Sequence, residues 1–263
     1  MVKTVLDLFC GAGGFSLGFK DKNHKLIGVD NWPIAGKTWQ HNIDGEFILQ
    51  DVRNFDYQTI GKIDILIGSP PCQPHSIANV DGSGDLSLIE MFLEIKDYLK
   101  PAYWVMEETP LVATILYEFG WVRPRFLSAI DFNLPHHRKR LFAGNYPEPR
   151  KRKWRGKWVP TPVGRPPNMV WASKSLATEQ WLHYLRTTDH EGMRKLLPEF
   201  ERTHQYKTKM CAHVMGFPDN YKFFGTKKDR YIQIGNAVCP PISRAINQAI
   251  ENGRTILDYL GDL

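Results

Sequence analysis

Short β-rich runs alternate with helical stretches through the first half of this 263-residue chain. The runs fall at positions 4–9, 25–30, 47–49, 63–67 and 103–106. Helical stretches fall at 15–19, at 33–41 with Pro33 near the first turn, and at 86–99. In the last, Leu88, Met91, Phe92, Ile95 and Leu99 recur at helical spacing, and Pro101 ends it. Strands joined through helices lie parallel, with helices on both faces of the sheet. The expected fold class is therefore α/β, a doubly wound and mostly parallel sheet. Ligands of such sheets sit beyond the carboxyl ends of the strands, so chemistry is expected in the residues just after each run.

The alternation dissolves over 146–165 into Pro, Gly, Arg and Trp. A polar, partly helical stretch follows to Glu201, and Pro240-Pro241 opens a final helix expected over 242–256. This pattern assigns 1–145 and 225–263 to the sheet domain and 146–224 to a small basic domain. With 42% hydrophobic and 24% charged residues there is apolar surface for a core. The longest apolar runs are too short to cross a bilayer, and the opening residues enter a strand without a secretory pattern. Cys10, Cys72, Cys211 and Cys239 include no Cys-x-x-Cys pair. No membrane span, disulfide framework or metal is expected, and a reducing cytoplasm is the expected compartment.

Formal charge is +6 but unevenly placed: residues 135–174 hold eleven Lys or Arg and one acid, while the remainder is net −4. A charge run is commonly a solvated face. Here Arg150, Lys151, Arg152, Lys153 and Arg155 flank Trp154, and Lys157, Trp158 and Trp171 follow. Cations for phosphates beside flat rings for bases favour a nucleic-acid surface.

Two turns carry further chemistry. Asp7-Leu8-Phe9-Cys10-Gly11-Ala12-Gly13-Gly14 joins the first strand to a helix, which lets backbone amides approach a ligand, and Asp30 ends the next strand where a carboxylate suits ribose hydroxyls. Such a turn is also compatible with plain tight packing. A phosphate-binding Gly-x-Gly-x-x-Gly needs glycine where the chain has Ser16, which favours a nucleoside cofactor without phosphates, S-adenosylmethionine. The second turn, Ser69-Pro70-Pro71-Cys72-Gln73-Pro74-His75-Ser76, follows the run at 63–67. A lone cysteine is commonly a buried small hydrophobe. On a proline-stiffened polar turn it is also suited to present a nucleophilic thiolate. The Gly-rich residues 79–85 beyond it read as a mobile lid.

Six motifs in order make the chain similar to the cytosine-5 DNA methyltransferases. They are the glycine turn at 7–14, Pro70-Pro71-Cys72-Gln73, the acidic strand end at Glu107, the segment from Pro135 through His136, His137, Arg138 and Lys139 to Arg140, Gly216-Phe217-Pro218, and Gln233-Ile234-Gly235-Asn236-Ala237-Val238. The resemblance implies a Rossmann-like methyltransferase fold with a small target-recognition domain. It implies that Cys72 adds to cytosine carbon 6, that Glu107 hydrogen-bonds ring nitrogen 3 and the exocyclic amine, and that Arg138, with Arg140 beside it, contacts the base carbonyl. It places S-adenosylmethionine against Phe9, Ala12, Gly14, Asp30, Asn31, Asp51, Val52, Pro71, Leu88 and Asn236. The implied partner is double-stranded DNA with a flipped-out base, held in part by Arg150, Lys151, Arg152, Lys153, Trp154 and Arg155. A monomer, nucleoid-associated in a prokaryotic or viral host cell and belonging to a restriction-modification system, is the expected setting.

Alone, Glu107 reads as a polar strand end, Arg138 and Arg140 as surface cations, and Asn236 as a turn residue; their joint order gives them roles. The chain departs from the family pattern at Glu108, where an amide is usual, and at His75 and His136, where Phe and Gln are usual. A tRNA-directed methyltransferase of the same fold is the alternative, although its Cys-Phe-Thr tripeptide is missing here. A catalytically weak DNA-binding relative is a third reading.

Overall fold

Val5, Leu6, Asp7 and Leu8 are all buried, the two-sided burial that a central parallel strand requires. They belong to β1 (Lys3–Leu8). The computed structural model describes residues 2–71, 86–113, 116, 124–156, 159, 176–203 and 207–253. The other strands are β2 (His24–Asp30), β3 (Gly45–Leu49), β4 (Ile65–Gly68), β5 (Tyr103–Glu108), β6 (Arg125–Ser128) and β7 (Lys139–Gly144). They form one sheet in the order β3-β2-β1-β4-β5-β7-β6. The first five are parallel, whereas β7 runs antiparallel to both β5 and β6.

Period-two alternation sorts the core into two layers. Val5, Ile65, Ile67 and Val105 face one apolar cluster with Phe15, Phe19 and Ile246. Leu6, Leu8, Leu66 and Met106 face another with Phe92 and Val29. The helices are α1 (Pro33–Asn42), α2 (Ser87–Leu99), α3 (Leu176–Thr187), α4 (Glu191–Arg194), α5 (Leu197–Thr203), α6 (Thr208–Val214), α7 (Lys227–Asn236) and α8 (Pro240–Asn252). Proline occupies the first turn of α1 and of α8, where no backbone N–H is needed. Leu185, Met193 and Met210, from α3, α4 and α6, share the apolar cluster of the sheet's first layer.

The strand runs are found with shifted ends. The run at 103–106 continues to Glu108, and the stretch at 15–19 is a 3-10 turn, Ser16–Phe19, rather than an α-helix. The final helix stops at Asn252, where Gly253 takes a left-handed φ of 63°; the expected continuation from 254 lies outside the described residues. β6 and β7 were not anticipated. They bracket the antiparallel edge of an otherwise parallel sheet, and their pairing is decided by contact with β5 rather than by a local pattern. Among the described residues no helix is long and apolar enough to cross a membrane.

From β1 the chain winds outward through β2 to β3, then returns to β4 on the other side of β1. The crevice at the carboxyl ends of β1 and β4 is the switch point where such sheets bind ligands.

Candidate active site

The glycine turn at this crevice is tied down from three directions. Asp30, ending β2, accepts from the Gly11 N–H through Oδ2 and from the Trp32 N–H through Oδ1, both at 2.8 Å. The Tyr221 hydroxyl donates to the Ala12 carbonyl from the far end of the sequence. Beneath the turn, Trp39 donates from its indole to Ser16 Oγ at 2.8 Å, and Ser16 donates to the buried Asp7 carboxyl. Burial pushes Asp7 up to about 8. α8 closes the back: Ser243 donates to the Phe15 carbonyl and Asn247 to that of Gly18. A Cβ on Gly14 would meet the Val238 carbonyl at 2.5 Å, so glycine here is required by the close return of the chain.

A cavity of about 530 Å³ opens above this turn. Phe9, Ala12, Gly14, Asp30, Asn31, Asp51, Val52, Pro71, Leu88 and Asn236 all line it. So do Glu107, Arg138 and Arg140. One space thus collects the residues assigned to the cofactor and three of the four assigned to the reaction. The fourth, Cys72, lies outside the described residues, as do His75 and the Gly-rich residues 79–85.

Spacing did not announce Arg53, Thr38 or Phe224, which hold residues that it did. Arg53 grips Asp51 with its Nε and Nη2, at 2.9 and 2.7 Å, and holds that carboxyl well below its ordinary range. Phe9 stands at a φ of 58°, an uncommon conformation for a residue with a side chain. Gln233 accepts from Thr38 at 2.6 Å and donates to the Phe224 carbonyl at 2.9 Å, fixing the start of the segment that carries Asn236.

The opposite wall is charged and dry. Glu107 and Glu108 end β5, 6% and 2% exposed. Arg140, from β7, places its Nε 3.1 Å from Glu107 Oε1. Burial nevertheless raises the Glu107 carboxyl, because desolvation outweighs the opposing pull of Arg140 and Arg138. Arg138 is buried, its guanidinium donating to the Ala237 carbonyl at 3.4 Å, and burial lowers it to about 10. It stays a cation at neutral pH. His136 is wholly buried and lowered to about 3, so its neutral ring accepts from the Arg138 N–H at 3.3 Å. His136 thereby holds the backbone, not the guanidinium, of Arg138.

A second cavity, about 1090 Å³, lies beside the basic segment and is lined by Lys151, Arg152, Lys153, Trp154 and Arg155, with Tyr184 and His190 opposite. Backbone bonds from Arg152 to Asp131 and from Trp154 to Ile130, both 2.7 Å, lay this segment along the edge of the sheet domain. Arg150, Lys151, Arg152, Lys153 and Arg155 are exposed. Trp154 is half-buried and packs on the apolar core, which leaves only part of its ring for a ligand. Lys157, Trp158 and Trp171 lie outside the described residues. No metal was expected, yet His190, His213 and Asp219 bring ligand-type atoms within 4.8 Å of one another. His190 accepts the Met193 N–H at Nδ1, so its Nε2 carries the proton and donates to Asp219 at 3.0 Å. His213 Nδ1 lies 3.7 Å from the same carboxylate.

The model of the C-5 cytosine-specific DNA methylase family matches residues 3–163 and 169–252. The chain belongs to that family. It is accordingly a DNA cytosine-5 methyltransferase. The type II methyltransferase M1.HphI of Haemophilus parahaemolyticus is 27% identical over 95% of this chain and 87% of its own. The type II methyltransferase M.AplI of Arthrospira platensis is 26% identical over 94% of this chain and 85% of its own. In fold, this methylase resembles the DNMT2 of Spodoptera frugiperda, with a TM-score of 0.63, 16% identity, and coverage of 95% of this chain and 99% of the other.

Proposed function

We propose that this methylase modifies carbon 5 of a flipped-out cytosine in a short duplex DNA target, with S-adenosylmethionine as methyl donor and a transient Cys72 adduct. The observation that carries the reading is the single cavity in which the glycine turn and Asp30 meet Glu107, Arg138 and Arg140. The likeness to type II enzymes supports a restriction-modification setting.

The cavity suits the cofactor's chemistry. Among the described residues no lysine lines it, Arg53 is committed to Asp51, Arg138 and Arg140 lie on the opposite wall, and the glycine turn lacks the third glycine of a phosphate cradle. Phe9, Val52 and Leu88 offer apolar surface to a nucleoside, while Asp30, each oxygen of which accepts one bond, retains lone pairs for its hydroxyls. Bound there, S-adenosylmethionine would supply an electrophilic methyl group.

The chain's own residues prepare the base. Cys72, joined covalently to the cavity-lining Pro71, attacks carbon 6 as a thiolate. Glu107, buried beside Arg140, hydrogen-bonds ring nitrogen 3 and the exocyclic amine and assists the addition, so that the ring accepts the electron pair and carbon 5 becomes nucleophilic. Arg138 and Arg140 stabilise the charge that develops on the base carbonyl. After methylation, loss of the carbon 5 proton expels Cys72 and restores the aromatic ring. The segment 146–224 acts as a small target-recognition domain, and residues 150–155 supply sequence-independent attraction to phosphates.

The test combines bisulfite sequencing of a co-expressed plasmid with trapping on duplex containing 5-fluorocytosine, whose carbon 5 fluorine blocks release of the adduct. Wild-type chain is expected to convert one sequence context and to form a covalent complex, and Cys72→Ala to do neither. Methylation without any trapped complex would overturn the adduct.

A further inference from the structure

The wall of the reaction cavity holds two adjacent carboxyls, of which Glu107 is faced by both Arg138 and Arg140 and Glu108 by Arg140. Arg140 Nε stands 3.1 Å from Glu107. Glu108, 2% exposed, accepts the Thr109 N–H at 3.0 Å through Oε2, and its Oε1 has no hydrogen-bond partner among the described residues. The charged groups that face Glu108 are Glu107 on the same strand and Arg140 from β7. The cavity-lining residues 69–71 and the turn Pro110–Val112 bring no titratable side chain. Among the described residues, the cation that faces Glu108 is thus one that Glu107 already engages. Ionising both carboxyls would place like charges side by side in a desolvated site, a strongly unfavourable arrangement.

We propose that Glu108 is a positioning residue that works in its neutral, protonated form, leaving Arg140 to Glu107, and that loss of its proton makes it a second claimant for the same guanidinium. The inference rests on the proposed role of Glu107. Burial first, and the neighbouring Glu107 second, push Glu108 up to about 8. A neutral carboxylic acid has one donor and one acceptor, the pattern of the amide usual at this position in the family. Its Oε2 already uses the acceptor side. The folded chain holds a proton that the unfolded chain would release. The stability linked to Glu108 is thus present below the ordinary glutamate range and is lost as pH rises through about 8.

The experiment is single-turnover methylation of one defined duplex across pH 6 to 10, a range chosen to bracket the expected titration near 8, with wild type, Glu108→Gln and Glu108→Ala. Wild type is expected to lose rate on the alkaline side with an apparent midpoint near 8. Glu108→Ala is expected to be slower at every pH, and Glu108→Gln to rescue that loss while the alkaline fall moves up by about one unit or more, since an amide cannot ionise. Persistence of the wild-type alkaline fall in Glu108→Gln overturns the proposal. Infrared difference spectra at neutral pH provide a readout independent of activity. Wild type minus Glu108→Gln should contain a protonated-carboxyl carbonyl band that titrates away on the alkaline side, and its absence refutes the neutral state. A wild type that methylates nothing at any pH refutes the proposed function, whereas the infrared measurement still decides the state of Glu108.

Discussion

The two cavities of this methylase hold charge in opposite ways. In the one above the glycine turn, Glu107, Glu108 and Arg138 are nearly inaccessible to water, and each is set by burial and a few named neighbours. Beside the basic segment, Lys151, Arg152, Lys153 and Arg155 are exposed, and among the described residues no carboxylate pairs with them. Buried charges act through geometry and proton position, and small displacements alter them. Solvated charges act through a summed field that salt screens within about 8–10 Å. On the proposed function, the first region serves one reaction on one base, and the second attraction to a nucleic-acid backbone.

The largest effect that can break this division comes from Glu107→Gln. It should lower single-turnover methylation by roughly 10²–10⁴, the range for a lost acid–base group, while leaving DNA affinity and its salt dependence in place. A shifted salt slope in that variant would show that the two regions are not separable. Next in size is neutralising Arg150, Lys151, Arg152 and Lys153 together. If each meets one phosphate, about two decades of the affinity change between 50 and 200 mM salt should vanish, equally for target and non-target duplexes. Competition binding across salt concentrations is the measurement, and a loss confined to the target sequence would assign these residues to base reading instead. Smallest is Gly14→Ala, which drives a Cβ against the Val238 carbonyl. Overpacking of this kind costs roughly 1–3 kcal/mol. It should lower the thermal midpoint and weaken cofactor binding without touching the salt slope. Unchanged stability would mean that the return of the chain at Val238 onto the turn is slack.

What the chain announces by itself is what local pattern can encode. The alternation of runs gave the parallel core, because side-chain period and strand length are local properties. The ordered motifs, through the family resemblance they carry, singled out Asp30, Glu107, Arg138 and Asn236, which line one cavity. Tertiary structure decided the rest. The antiparallel edge of β6 and β7 has no strong local signature and exists because β7 pairs with the end of β5. Tyr221 reaches the carbonyl of Ala12 across 209 positions, a contact no spacing could disclose. His136 and Glu108 look like ionisable departures in the sequence, yet burial lowers one to about 3 and raises the other to about 8. The physical reason is common to all of these. A residue's charge state and partners depend on which surfaces exclude water around it, and that is settled only when distant segments pack.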